Sequence, residues 1–348
     1  MPCCAQRSGG RPASEIIRNV RRLAIIYNPA SGIRRERRVG DVEAAARVFR
    51  EAGVQVALVP STAPRSASAQ ARELARSGCD SIIACGGDGT VNEVAQGILE
   101  SGADTALGVI PLGTANALAA ELRLPRNSSA AARALISAER KRIAVGEMEF
   151  RAQGTSYRRY WLTAASVGVD AELMYMISTL HKARFGMAAY FAGGLRLLLT
   201  HRFAPFEVDF TESKTGQRRR EVVAYFLLAR VANFGKMLRK VAPDAALSRD
   251  DASLILFKTR SRLAYIKFAT AILTGVRPKI AGIESVQVSE VTADYLASAE
   301  ALPEAWRGTL PHQTLLRAEV DGEVVGTLPV RTTIVPNALT MLVPGTAH

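Results

Sequence analysis

A short apolar run, Asp80-Ser81-Ile82-Ile83-Ala84, leads straight into Cys85-Gly86-Gly87-Asp88-Gly89-Thr90-Val91-Asn92-Glu93-Val94, and this stretch limits the fold more than any other. The run reads as a buried strand. Val91, Val94, Ala95 and Ile98 then recur at helical spacing, so the glycines fall on a strand-to-helix turn. Glycines at 86, 87 and 89 allow positive φ and keep Cβ atoms away from a close ligand. The amides of the turn, with the free N–H groups of the first helical turn, favour an anion there. Asp88 does not suit a bare phosphate. It suits one carried by Mg²⁺, which takes a carboxylate or two plus phosphate oxygens. The plainer reading makes Asp88 a helix N-cap.

Charge and composition narrow the partner. A formal net charge of +13 asks for something acidic. Aromatic residues are only 6% of the chain and do not interleave with basic ones, so nucleic acid gives way to anionic membrane or nucleotide phosphate. With 48% hydrophobic residues over 348 positions, the chain can build real cores and has a length suited to two domains. Cys3, Cys4, Cys79 and Cys85 make no paired framework, which suggests a reducing compartment. Residues 1–20 read as a disordered leader without a signal peptide's apolar core, and no apolar run reaches the ~18 residues of a membrane span. The expectation is a cytoplasmic protein that meets a membrane only peripherally.

In chain order, Arg22 to Tyr27 is a strand running into the turn Asn28-Pro29-Ala30-Ser31-Gly32. Basic residues follow at Arg34, Arg35, Arg37 and Arg38. An amphipathic helix then buries Val42, Ala45, Ala46, Val48 and Phe49, and Gly53 stops it. Val54 to Val59 is a second strand, ending at Pro60-Ser61-Thr62. A helix over 66–77 precedes the glycine turn, and Thr105 to Ile110 is a strand closing on Pro111-Leu112-Gly113-Thr114-Ala115-Asn116. This alternation predicts a parallel, doubly wound sheet, with ligands beyond the carboxyl ends of its strands. Four polar or glycine-rich strand ends would then converge on one edge.

Around residues 140–160 the pattern changes to alternation and short apolar runs: Tyr160 to Val169, Pro205 to Phe210, Glu221 to Ala229, Ser253 to Thr259, Val286 to Val291, Leu315 to Val320 and Thr332 to Val335. This predicts a strand-rich second domain with a helical insertion near Ala171 to Thr200. Leu339 to Val343 either returns to the first domain or finishes the sheet. Phe185 to Phe203 and Arg262 to Gly275 mix apolar residues with cations, as an interfacial helix does, although core packing explains such helices more often. Lys214 and Arg218-Arg219-Arg220 read as a hairpin turn that would add attraction to an anionic surface.

Asn28 to Gly32, Gly86 to Glu93 and Pro111 to Asn116, in that order and spacing, resemble the diacylglycerol kinase catalytic-domain family, which includes bacterial soluble lipid kinases and the sphingosine and ceramide kinases. The resemblance covers about residues 20 to 345. It implies an α/β fold: an N-terminal doubly wound domain like that of NAD kinases and phosphofructokinases, and a C-terminal β-sandwich-like domain. The expected division is a nucleotide domain over 21–142, a strand-rich lipid-substrate domain over 143–335 and a return segment over 336–348.

The resemblance also implies ATP and Mg²⁺ as cofactors. It sets the nucleotide against Asn28, Pro29, Ala30, Ser31 and Gly32, against Gly86, Gly87, Asp88, Gly89, Thr90, Val91 and Asn92, and against Thr62, Gly113, Thr114 and Asn116. Val320-Asp321-Gly322-Glu323 matches the family's Asp-Gly-Glu turn, so Asp321 or Glu323 would take the proton of the acceptor hydroxyl, with Asp88 as a further catalytic carboxylate. Without the family context an Asp-Gly pair is a hairpin turn. The segment Asp250-Asp251-Ala252-Ser253 resembles the one where a structural Mg²⁺ is held by an aspartate and backbone carbonyls. That points to Asp251, with Ser248 and Ser253 as carbonyl donors, although Ala252 stands where the family has glycine.

The implied function is an ATP- and Mg²⁺-dependent kinase acting on a diacylglycerol-like or sphingoid-type lipid hydroxyl at a membrane surface. Anionic lipid is the expected partner and nucleic acid is not; a homodimer is compatible with the resemblance. The alternatives are an NAD kinase-like enzyme and a non-catalytic protein of the same fold that binds nucleotide or anionic lipid. The first strand turn lacks Gly-x-Gly-x-x-Gly and no Gly-x-x-x-x-Gly-Lys-Ser/Thr occurs, which argues against a dinucleotide oxidoreductase and a P-loop enzyme.

Overall fold

The computed structural model describes residues 22–29, 35–179, 193–194, 196–197, 199–234, 238, 240–276, 279–298, 302, 306 and 315–345. Strands β1 (Arg22–Tyr27), β2 (Gln55–Pro60), β3 (Ser81–Gly86) and β4 (Ala106–Pro111) lie parallel in the order β2-β1-β3-β4. β3 and β4 are buried at every position, which is why they read as continuous apolar runs. Helices α1 (Arg35–Glu51), α2 (Ser66–Arg76), α3 (Asp88–Ser101), α4 (Ala117–Glu121) and α5 (Ser128–Ile136) connect and follow them. Because the order reverses at β1, right-handed crossovers send α1 to one face and α2 and α3 to the other. Accordingly α1 packs on α5 and α2 on α3. Val42, Ala45, Ala46, Val48 and Phe49 are all buried, and α1 ends before Gly53, which sits at φ +82°.

The same sheet continues without a break into the second half, in the order β4-β14-β13-β7-β10-β11-β12-β8-β9. These strands are β5 (Glu139–Ala152), β6 (Thr155–Trp161), β7 (Ala164–Val167), β8 (Phe206–Glu212), β9 (Arg218–Val223), β10 (Tyr225–Ala229), β11 (Ala252–Phe257), β12 (Ile283–Asp294), β13 (Arg317–Val320) and β14 (Glu323–Val343). Helices α6 (Val169–Thr179) and α7 (Arg262–Thr274) flank them. β14 pairs with β13 near its start and with β12 through Val330–Thr333, so the sheet curls back on itself. Met148, Trp161, Phe206, Phe226 and Leu254 fill the space it encloses. Leu339 to Val343 does both things the pattern allowed. It pairs with β5, and Met341 lies beside Leu107 of β4.

The structure departs from the sequence pattern in three places. The run from Tyr160 to Val169 is not one strand. It breaks at Leu162 and Thr163, because the amides of Leu162, Thr163 and Ala164 turn to the Asp321 carboxylate. Arg218, Arg219 and Arg220 are not a free basic turn either. They lie in β9, where Arg219 pairs with Glu212, Glu221 and Glu284, and Arg218 and Arg220 with Asp209. Their charge is neutralised locally. Finally, α7 turns Phe268 and Ile272 to the core while Leu263, Ile266 and Leu273 stay exposed. Ala30 to Gly32, Arg34, most of the stretch Phe185 to Leu198 and residues 1–21 lie outside the described residues.

Candidate active site

The register of the parallel strands sets the site. Pro60, Tyr27, Cys85 and Ile110 stand side by side at the carboxyl ends of β2, β1, β3 and β4. Thr62, Asn28, the Gly86–Gly89 turn and the Gly113–Asn116 turn therefore follow along one edge, and β1 and β3 flank the point where the strand order reverses. Pro29 and Thr114 are exposed on this edge, and Thr62 is held by its amide on the Ser66 hydroxyl.

Within the turn, the glycines are needed for space rather than for positive φ, since Gly86, Gly87 and Gly89 all keep ordinary backbone angles. A Cβ on Gly86 would strike the Thr90 side chain, 2.5 Å from its Oγ1. Gly87 and Gly113 meet backbone to backbone: a Cβ on Gly113 would stand 2.5 Å from the Gly87 Cα. Gly89 alone opens onto empty space. That is the direction from which a ligand can approach the first turn of α3.

Asp88 does not cap its own helix; Gly87 holds the N-cap position. Its two oxygens accept the amides of Asn116 at 2.9 Å and Ala117 at 2.7 Å, so it caps α4 across the cleft. Burial raises its proton affinity, the two amides oppose that, and the nearby Asp321 adds to the rise. Each carboxylate oxygen keeps a lone pair for a further contact. Asn116 closes its own turn, accepting from the Gly113 amide and donating to the Gly113 carbonyl. Val91 belongs to the core, so its side chain is not available to a ligand at this edge.

The second half brings Asp321 to this edge. Asp321 sits at φ +48° between β13 and β14, and its carboxylate accepts five donors. Oδ2 takes Asn92 Nδ2 at 2.7 Å and the Leu162 amide at 2.8 Å. Oδ1 takes the Thr163 amide at 2.8 Å, the Thr163 hydroxyl at 2.5 Å and the Ala164 amide at 3.0 Å. Asn92, expected at the phosphates, therefore spends its side chain on Asp321. Glu323 is partly exposed and lies between Arg65 and Arg159, with Arg159 Nη2 at 2.8 Å from Oε2. Gln96 and Tyr160 exchange side-chain-to-backbone hydrogen bonds and pin α3 to β6.

Several residues of the site escaped the sequence pattern. Arg65 is in the loop after β2, and the edge-convergence argument applied to that loop could have found it. Arg159 lies on β6 and contacts Asn92 Oδ1 and Glu323; no local signal marks it. Glu319, two residues before Asp321, is buried against Ser166 and the Gly322 amide. Burial and the neighbouring Asp170 carboxylate push its pKa well up, while burial takes Asp170 up to about 6.

At the segment expected to hold a structural metal, the Asp251 side chain has a cationic partner. Asp251 gives both oxygens to Arg249, at 2.6 and 2.5 Å. The Ser248 side chain is exposed, and Ser253 lies inside β11 with its hydroxyl on Ser285 and Gln287. The carbonyls of Leu247, Arg249 and Asp251 converge on the Arg230 guanidinium. Among the described residues no group of three or more His, Cys, Asp or Glu side chains forms a metal cage.

Comparison with known proteins identifies the family. Residues 22–148 match the family model "Diacylglycerol kinase catalytic domain", and residues 163–343 match "YegS C-terminal NAD kinase beta sandwich-like domain". The chain is 30% identical over 257 residues to a diacylglycerol kinase of Bacillus subtilis (strain 168), covering 74% of this chain and 80% of that one. A diacylglycerol kinase of Staphylococcus aureus (strain MRSA252) is 28% identical over 244 residues, 70% of this chain and 72% of the other. A crystal structure named as a diacylglycerol kinase, from Bacillus anthracis str. Sterne, superposes with a TM-score of 0.64 at 17% identity over 94% of this chain and 98% of that one. That likeness is one of fold.

Proposed function

Since this chain belongs to the diacylglycerol kinase catalytic-domain family and is a lipid kinase, we propose that it uses ATP and Mg²⁺ to phosphorylate a hydroxyl of a diacylglycerol-like or sphingoid-type lipid. The Asn92–Asp321 contact carries this reading, because it sets a carboxylate of the strand-rich half against the helix that begins at the glycine turn. The nucleotide phosphates take the edge formed by Asn28, Gly86–Thr90 and Gly113–Thr114, with the first-turn amides of α3 as donors. Gly89 leaves room for their approach. Asp88 fits a Mg²⁺: it is a buried carboxylate with one amide on each oxygen, a lone pair left on each, and a second carboxylate, Asp321, nearby to be offset. Bound there, the ion neutralises phosphate charge and orients the transferring group.

The proton acceptor for the lipid hydroxyl is Asp321 or Glu323, and the two carry different burdens. Five donors already saturate Asp321, so a lipid hydroxyl must displace one of them, and the Thr163 hydroxyl is the one chemically equivalent to it. Glu323 keeps lone pairs, but an approaching hydroxyl competes with two guanidinium groups. Arg65 and Arg159 stand where charge on the transferring phosphoryl group could be met.

The lipid is met at an anionic membrane surface, with the enzyme bound peripherally. Leu263, Ile266, Leu273 and Val276 are exposed on and just beyond α7, beside Arg262 and Lys267. An apolar stripe edged with cations suits insertion at the headgroup level. Among the described residues no helix is long and apolar enough to cross a membrane. The test of the function offers ATP–Mg²⁺ with a panel of lipids in mixed micelles and identifies which lipid gains phosphate. Transfer to NAD and to no lipid would replace this reading with an NAD kinase.

A further inference from the structure

Arg230 is completely buried at the end of β10, on the strand-rich side of the cleft. A guanidinium removed from water costs several kcal/mol unless its charge and N–H groups are met. Here the loop before β11 meets the two terminal nitrogens, while Nε is buried without a partner. Arg230 Nη1 donates to the carbonyls of Arg249 at 3.2 Å and Asp251 at 3.0 Å, and Nη2 donates to the carbonyl of Leu247 at 3.2 Å. The carboxylates of Asp250 and Asp251 are within electrostatic reach. Alternate carbonyls, 247, 249 and 251, thus turn inward on a single cation.

This loop overlaps the segment where the family resemblance implied a structural Mg²⁺ held by Asp251 and the carbonyls of Ser248 and Ser253; the carbonyls that turn to Arg230 are those of Leu247, Arg249 and Asp251. The disagreement is chemical as well as spatial. Mg²⁺ demands oxygens at about 2.0–2.1 Å in near-octahedral array and gives up its water reluctantly. The carbonyls here are spread around a planar fork at ordinary hydrogen-bond lengths, and a guanidinium is weakly hydrated enough to be buried. The aspartate is already charge-neutralised, since it makes a bidentate pair with Arg249, whose own positive charge opposes a second cation there.

We propose that the Arg230 guanidinium is the resident cation of the 247–251 loop and does there the structural work of a divalent ion, which this loop does not bind. Its position gives that role a consequence. The Arg230 amide donates to the Thr163 carbonyl at 2.9 Å, and Thr163 in turn donates its amide and hydroxyl to Asp321. Two residues on, the Ala232 amide reaches Glu121 Oε2 at the end of α4. A covalently tethered cation therefore backs both the Asp321 turn and a contact between the two halves, and neither depends on free divalent ion. The inference concerns the fold around the site and stands apart from which lipid is phosphorylated.

Thermal melting of the full, nucleotide-free chain tests it, read by near-UV circular dichroism. Wild-type protein in excess EDTA and in millimolar Mg²⁺ or Ca²⁺ is expected to melt within about 1 °C, or to show a divalent-induced rise that Asp251→Asn leaves unchanged because the ion sits elsewhere. A rise abolished by Asp251→Asn would overturn the proposal. Arg230→Met, which keeps the stem and loses the cation, is expected to melt several degrees below Arg230→Lys. Equal melting of the two would also overturn it. If neither variant folds, the wild-type comparison with EDTA decides alone.

Discussion

Asn92 Nδ2 donates to Asp321 Oδ2 at 2.7 Å, joining the first turns of α3 to a turn 229 residues further along the chain. The carboxylate is thereby aimed at the glycine edge by the same helix whose N-terminus is proposed to face the phosphates. Asn92→Ala leaves one lone pair of Asp321 unmet and frees its rotation; turnover is expected to fall on the order of 10²-fold with ATP affinity little changed. Asn92→Asp sets two carboxylates together and is expected to lose more. Steady-state phosphate transfer to lipid micelles, with nucleotide binding measured separately, checks both. Wild-type turnover in Asn92→Asp would sever the link between this contact and catalysis.

Asp321→Asn and Glu323→Gln separate the two candidate bases. An amide at 321 presents N–H groups to backbone N–H donors, so this variant is expected to lose both activity and about 2–4 kcal/mol of stability in denaturant titration. Glu323 is partly exposed, and its ion pairs are worth little to the fold. Glu323→Gln is therefore expected to keep its melting temperature. If it nevertheless loses turnover by about 10²-fold or more, Glu323 is the proton acceptor; if it turns over normally, Asp321 is.

The glycines of the two turns make a contrasting pair. Gly113→Ala forces a Cβ against the Gly87 backbone and is expected to destabilise by roughly 1–3 kcal/mol. Gly89→Ala meets nothing in the protein and is expected to melt normally. Its cost should appear as a raised KM for ATP, since the methyl group enters the space given to phosphate. An unchanged KM would move the nucleotide off this turn.

Asp170 and Glu319 predict an uncommon pH dependence. Both bind their protons more tightly in the folded protein than in the unfolded chain. Their protonation stabilises the native state fully below the ordinary carboxylate range, and that contribution is lost as pH rises through about 6 for Asp170. From about pH 5 to about pH 8 the wild type is expected to lose on the order of 1–3 kcal/mol that Asp170→Asn retains. Parallel stability profiles for the two proteins would contradict the burial assigned to this pair.

The stripe on α7 gives a separate test of membrane contact. Ile266→Glu with Leu273→Glu places two charges on side chains that already face solvent, so folding is expected to survive. Co-sedimentation with phosphatidylglycerol vesicles should fall about 10-fold or more, while phosphorylation of a short-chain, water-soluble lipid stays at wild-type level. Unaltered sedimentation would put the docking surface elsewhere.

Much of the parallel-stranded half was legible because its signals are local. Each strand runs directly into its turn, so the order of β1 to β4 and the shared edge of Asn28, Thr62, Gly86 and Gly113 follow from sequence alternation and the handedness of crossovers. The charged residues of the strand-rich half were not legible, for the opposite reason. Arg218 to Arg220 have the composition of an open basic turn, but register with β8 sets Asp209 and Glu212 within reach, and Glu284 of β12 completes the pairing. Partners supplied across strands leave no local trace.

What the sequence determined alone was the family of chemistry: three turns of matching composition and an Asp-Gly-Glu near the end. Tertiary structure decided what each polar side chain does. Asp88 caps a helix from a different turn, Asn92 holds Asp321, and Arg230 gathers the carbonyls of Leu247, Arg249 and Asp251. The physical reason is that a buried polar group must find its partners in space, and sheet closure brought those partners from distant parts of the chain.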